Sequence, residues 1–282
     1  MNWFYLTIFS ILFGSIANIL QRVLMKHDKS DPYAYAIFFH LFLGILNFVF
    51  GLWYGSNFSY HGENIIYLFI SSLLWGTCTV FLFKALQVLE SSEVTILESL
   101  KVPITIVLAI ITFHESFGLT KIIATSIILI ATWLVAGNKE KFKVNNGVWY
   151  MVVVAITSAL GIIVDSYSVK HFDVVFYNMI TNFLIVPILI CVRPNALSKW
   201  NHFLKADFLI RMLPMCVFST AQAILYLYSL TDVGNTAQIT AIRQSKLIVT
   251  VLLAVIFLQE KQNLSKKLFA AFLVTIASVL LK

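Results

Sequence analysis

The chain has 282 residues, of which 60% are hydrophobic and 12% charged, and a formal net charge of +7. A soluble domain carries roughly 25% charged residues, so the composition excludes a water-soluble globular protein and leaves no stretch polar enough for a separate soluble domain. The basic excess lies mainly between apolar runs, where it bears on orientation in a bilayer and not on nucleic acid.

Apolar runs of about twenty residues, each able to cross a ~30 Å hydrocarbon layer, recur along the chain. They predict an all-α integral membrane protein with ten helices, at about 3–24, 32–53, 64–86, 93–113, 119–137, 147–167, 174–192, 207–230, 236–258 and 264–281. Charged residues mixed with Gly, Pro, Asn or Ser mark the breaks, as in KHDKSDP and NKEKFKVNN. The first run, in MNWFYLTIFS, has no basic stretch before it, so no cleaved signal peptide is expected. Segment 1 offers Asn18, Gln21 and Arg22, and Arg22 is expected to snorkel to the head groups. Pro32 opens segment 2, where a helix tolerates it, and His40 within that segment is expected to be a hydrogen-bonded structural histidine. Trp75 in segment 3 and Gln222, Tyr226 and Tyr228 in segment 8 are candidate cavity walls. Trp3, Trp53 and Trp149 sit at segment ends and read as interfacial anchors. Cys78, Cys191 and Cys216 have no CxxC spacing and read as packed thiols without a disulfide framework.

Segment 4 stands apart. Residues 95–115 read TILESLKVPITIVLAIITFHE, and Thr95, Glu98, Lys101 and Thr105 share one helical face. Pro103 and Pro187 fall inside helices and predict kinks. Residues 240–260 answer this stretch with TAIRQSKLIVTVLLAVIFLQE. At a shift of 145 positions, Thr95 meets Thr240, Lys101 meets Lys246, Thr105 meets Thr250 and Glu115 meets Glu260, while Glu98 meets Arg243. Lys26-His27 recurs as Lys170-His171. The chain therefore divides into two five-helix halves, 1–138 and 139–282. An odd number of helices per half inverts the second half relative to the first.

These features resemble the drug/metabolite transporter superfamily, in its ten-helix EamA-type branch. The resemblance rests on the two halves, Asp31-Pro32 opening segment 2, Ala85-Leu86 ending segment 3, Pro103 in segment 4, and Glu115 and Glu260-Lys261 closing segments 4 and 9. There are departures: His40 stands where the family has an arginine, Ile248 replaces the proline of the second half, and segment 1 has no acidic residue. The last of these weighs against proton-driven export of cationic drugs. The resemblance implies a secondary transporter with a central cavity lined by both halves.

A charged residue at mid-helix costs roughly 2.5–3.5 kcal/mol on insertion scales. Glu98, Lys101, Arg243 and Lys246 would together cost on the order of 10 kcal/mol facing lipid, so they must face protein or water. The equivalent stripes on segments 4 and 9 are expected to face each other around a midplane cavity, with Glu98, Lys101, Thr105, Gln222, Arg243, Lys246 and Thr250 as candidate substrate-binding residues. Asp165 lies near the end of segment 6 and is placed away from the midplane. One carboxylate against three cations leaves a charge for a carboxylate or phosphate on a substrate to match, unless one lysine stays neutral or the stripe is buried ion pairing alone. Glu98 is the simplest group through which protons would couple.

The expected function is transport of a small anionic or zwitterionic metabolite, an amino acid or organic acid. The alternative is a non-transporting membrane protein that keeps the fold. No catalytic constellation, cofactor, metal site or nucleic-acid partner is expected. The lipid bilayer is the one partner implied besides the metabolite, and the oligomeric state is open. Lys26 and Lys29, the lysines of 139–143, the basic residues of 193–205 and Lys261, Lys266 and Lys267 fall on one side of the membrane. Lys121, Lys170 and Lys282 fall on the other. The positive-inside rule then places both termini outside.

Overall fold

The computed structural model describes residues 3–27, 31–57, 65–113, 118–136, 146–199, 203–232, 239, 242–243, 246–259 and 264–280. All regular structure among them is helical. The chain runs α1 (Trp3–His27), α2 (Pro32–Tyr54), α3 (Ile65–Val88), α4 (Ser91–Glu98), α5 (Lys101–Phe113), α6 (Leu119–Ala136), α7 (Asn146–Ser168) and α8 (Val174–Val192). A 3₁₀ turn at Pro194–Lys199 leads to α9 (Ala206–Asp232), α10 (Lys246–Leu258) and α11 (Leu264–Leu280). Residues 239, 242 and 243 are also helical.

Local chemistry sets these ends. Asp31 caps α2 by accepting from the Tyr33 N–H at 3.0 Å, with Pro32 at the first helical position. Gly55 closes α2 at φ 75°, a left-handed conformation that a Cβ disfavours. Asp173 caps α8 through the N–H groups of Val175 and Phe176, each at 3.0 Å. Pro187 lies inside α8 and Pro214 inside α9, and both helices continue past them.

Among the described residues six helices are long and apolar enough to cross a membrane: α1, α2, α3, α7, α8 and α9. Their outward faces carry large apolar side chains such as Phe48, Leu52, Phe69, Ile210 and Val217, a surface suited to lipid and not to water. Trp53 and Trp149, at helix ends, are 83% and 61% exposed, and Trp3 packs against the core instead. The ten-segment expectation is not matched segment for segment. Segment 4 is divided into α4 and α5, and the described part of segment 9 has a 13-residue apolar helix, short of a full span.

In the packing, α1 lies on α9 and α3 on α7, while α2 lies on α8 and α6 on α11. Three apolar clusters result. One gathers the C-terminal ends of α1, α3 and α8 with the starts of α2 and α9, around stacked Phe38 and Phe203 at 4.4 Å and Tyr35 edge-on to Phe203 at 5.2 Å. A second joins the starts of α3 and α8 to the ends of α7 and α9. A third is formed by α4, α5, α6, α10 and α11. Between the first two clusters the middles of the long helices turn polar side chains toward one another.

Candidate functional site

The break between α4 and α5 organises one wall. Pro103 has no N–H to give the Ser99 carbonyl, and its ring crowds that carbonyl. The chain answers with a tight turn. The Ser99 N–H donates to Ile96 O at 3.0 Å, Leu100 to Leu97 O at 3.1 Å and Val102 to Ser99 O at 3.0 Å. Glu98 is left at the C-terminal end of α4 and Lys101 at the N-terminal end of α5. Each charge opposes the dipole of its own short helix. Their mutual contact offsets this, with Lys101 Nζ donating to Glu98 Oε1 at 2.5 Å.

The facing wall comes from the second half. Arg243 donates from Nη2 to Gln222 Oε1 at 2.9 Å, and its guanidinium lies 3.7 Å from the centre of the Tyr226 ring. Gly14 makes room here: a Cβ on it would stand 2.8 Å from Gln222 Oε1 and 3.5 Å from Lys246 Cε. Among the described residues, neither Arg243 nor Lys246 has a carboxylate within ion-pair distance. Ser219 is 6% exposed and its hydroxyl has no hydrogen-bond partner among them.

These groups line a cavity of about 200 Å³. Glu98, Lys101, Gln222, Arg243 and Lys246 border it; Thr105 and Thr250 do not. Both threonines are fully buried away from the cavity lining, and their hydroxyls lack a partner among the described residues. Residue 240, the side chain of Thr95, and Glu115 and Glu260 lie outside the described residues.

The family model described as the EamA-like transporter family matches the chain twice, over residues 1–137 and 145–281. The chain belongs to the EamA-like transporter family. It is a multi-pass membrane protein of a family of transporters. No curated protein matches it.

Asp165 and Arg22 also depart from the sequence expectations for this EamA-like chain. Asp165 is not remote from the stripe but lines the same cavity, 4% exposed. Its Oδ1 accepts from the Tyr177 hydroxyl at 2.6 Å and from Ser71 at 3.0 Å. The Trp75 indole N–H lies 3.2 Å from Oδ1 and 3.0 Å from Oδ2. Gly161 permits this approach, since a Cβ there would meet Trp75 at 3.0 Å. The signal for Asp165 was present in the spacing: Ser158, Gly161 and Asp165 share one face of α7, a small and polar stripe ending in the carboxylate. Arg22 does not reach the head groups. It is 7% exposed and its guanidinium donates to the Leu86 carbonyl, satisfying a carbonyl near the C-terminal end of α3.

His40 is hydrogen-bonded, as expected. Its Nδ1 meets Asn182 Oδ1 at 2.7 Å and its Nε2 meets Thr79 Oγ1 at 2.9 Å. Because Asn182 Nδ2 donates to Asn178, its oxygen is left to accept, which assigns the Nδ1 proton to His40. Asn178 continues the chain to Asn47 at 2.9 Å. Asn18, Gln21, Trp75 and Tyr226 line the cavity, whereas Tyr228 packs against the core. Cys78, Cys191 and Cys216 are free thiols, the first of them on the cavity wall.

Proposed function

We propose that this chain is a secondary transporter that moves a small anionic or zwitterionic metabolite, an amino acid or organic acid, through the polar cavity. The observation that carries the reading is the pair Arg243 and Lys246, which borders the cavity without a carboxylate in ion-pair reach among the described residues. Glu98 is already engaged by Lys101. With Asp165 included, two carboxylates stand against three cations, and one formal positive charge is left for a solute anion to match. The orphan Ser219 hydroxyl adds a donor on that side. No catalytic role is assigned to any residue.

The architecture we infer is ten helices in two inverted five-helix repeats, 1–138 and 139–282. Supporting it, the packing maps onto itself when the halves are exchanged. The contact of α1 with α9 corresponds to that of α7 with α3, and α1 with α10 corresponds to α7 with α5. Gly14, Asn18 and Gln21 on α1 also line the cavity at the spacing of Ser158, Ile162 and Asp165 on α7. We place the chain in the cell's inner membrane with both termini outside, on the distribution of basic loops.

Thermal unfolding of the purified protein tests the solute class. Amino acids, organic acids and sugar phosphates are added one at a time. A ligand at a hundredfold its Kd stabilises by about 2.7 kcal/mol, so at least one anionic or zwitterionic compound should raise Tm, and Lys246→Ala should remove the rise. Stabilisation by cations or neutral sugars alone contradicts the reading.

A further inference from the structure

The cavity holds two carboxylates in unlike surroundings. Glu98 has an ammonium at 2.5 Å, so its charge is matched within the protein. Among the described residues the donors to Asp165 are neutral: a phenol, a serine hydroxyl and an indole N–H. Among the described residues no cation lies within ion-pair distance of it. Its two oxygens also differ. Among the described residues Oδ1 takes Tyr177, Ser71 and the longer indole contact, whereas Oδ2 takes the indole alone. Oδ2 thus has an open acceptor position. A proton placed there leaves the hydroxyl contacts to Oδ1 in place, so the site need not be rebuilt between the two forms.

Among the described residues no neighbour brings a cation into direct contact with Asp165, and Arg243 acts on it only through space. From α8 the titratable group facing Asp165 is Tyr177, and from α3 it is Cys78 across the cavity wall. From α9 comes Tyr226, already covered by Arg243, whose guanidinium is directed to Gln222. Glu98 on α4 and Lys101 on α5 engage each other. Lys246 on α10 lines the cavity, and His40 on α2 is spent on Asn182 and Thr79.

From this arrangement we infer that Asp165 is a proton-binding site of the cavity, taking up a proton at Oδ2 from water and returning it there, apart from the Glu98–Lys101 pair. Its part in a transport cycle rests on the function proposed above; the site itself does not. It moves the expected proton-coupling group from Glu98 to the second half of the chain.

Infrared difference spectroscopy between alkaline and acidic buffer, on the protein in lipid bilayers without added solute, reads this directly. The wild type should gain a carboxylic-acid C=O stretching band on acidification. Asp165→Asn should lose that band, and Glu98→Gln should keep it. Trp75→Phe, which removes the donor to Oδ2 but leaves the acid, should shift its position. A band that survives Asp165→Asn overturns the inference, as does a folded wild type that gains no such band. If Asp165→Asn does not fold, a band unmoved by Trp75→Phe overturns it instead. Because no solute is present, an Asp165 that protonates in a protein moving nothing would refute the transport reading alone. Flux without this band would refute only the proton site.

Discussion

At the scale of single residues, the cavity separates charges that are matched from charges that are open. Glu98 and Lys101 are 20% and 14% exposed at their side chains and make direct contact. Breaking a buried pair by removing one partner typically costs about 3–5 kcal/mol, because the other charge is left uncompensated. Glu98→Gln and Lys101→Met should therefore each lower thermal stability, and the double variant should lose less than the sum of the two. A double-mutant cycle in detergent checks this, and strict additivity would mean that the pair is not coupled. Thr105 and Thr250 make the opposite case. Their hydroxyls are buried without a partner among the described residues and lie off the cavity. An unsatisfied buried hydroxyl is costly to keep, so Thr105→Val and Thr250→Val should leave solute binding intact and Tm unchanged or raised. A loss of binding in either would return these threonines to the site.

At the scale of elements, the decisive feature is the interruption of α4 and α5. Pro103 frees the Ser99 carbonyl and forces the turn that sets Glu98 and Lys101 against each other across two helix ends. Backbone of this kind is tolerated at membrane depth where it is buried or lines a cavity. Pro103→Ala restores an N–H able to reach Ser99, so a continuous helix becomes available. We expect unchanged or higher thermal stability with lost flux, measured on the same preparation; wild-type flux from this variant would detach the break from function. The stripe itself was legible in the sequence, because lipid tolerates charges only where something faces them, and Lys101 and Lys246 recur in register. What periodicity could not give was depth. Asp165 was placed by its distance from a segment end, whereas Gly161 lets Trp75 close onto it and carries the cavity toward that end of α7. Thr105 and Thr250 follow Lys101 and Lys246 by one turn on the same helices, and the register alone did not show that only the lysines border the cavity. Arg22 was read from hydropathy alone, which does not show that a carbonyl of a neighbouring helix lies in reach.

At the scale of the whole molecule, two apolar clusters rich in aromatic rings stand on either side of the polar cavity, and a third packs α4, α5, α6, α10 and α11 together. In the two-repeat architecture proposed above, rocking of one repeat against the other would open one of the first two clusters at a time. The orientation proposed from the basic loops is testable: with both termini outside, a C-terminal reporter that fluoresces only in the cytoplasm should stay dark, and a reporter active only outside should be functional. Strong cytoplasmic fluorescence from the intact fusion would reverse the assignment. The central claim is that this cavity carries an anionic or zwitterionic solute past Lys246. Radiotracer flux into proteoliposomes, over a panel of amino acids, organic acids, sugars and organic cations, tests it most directly when wild type, Lys246→Ala and Thr250→Val are compared. One charge-assisted contact is worth about 1.5–3 kcal/mol, or about ten- to hundredfold. We predict uptake of at least one amino acid or organic acid, unchanged in Thr250→Val and lowered by that factor in Lys246→Ala. Movement of cations or neutral sugars alone, or full-rate uptake by Lys246→Ala, would contradict the account.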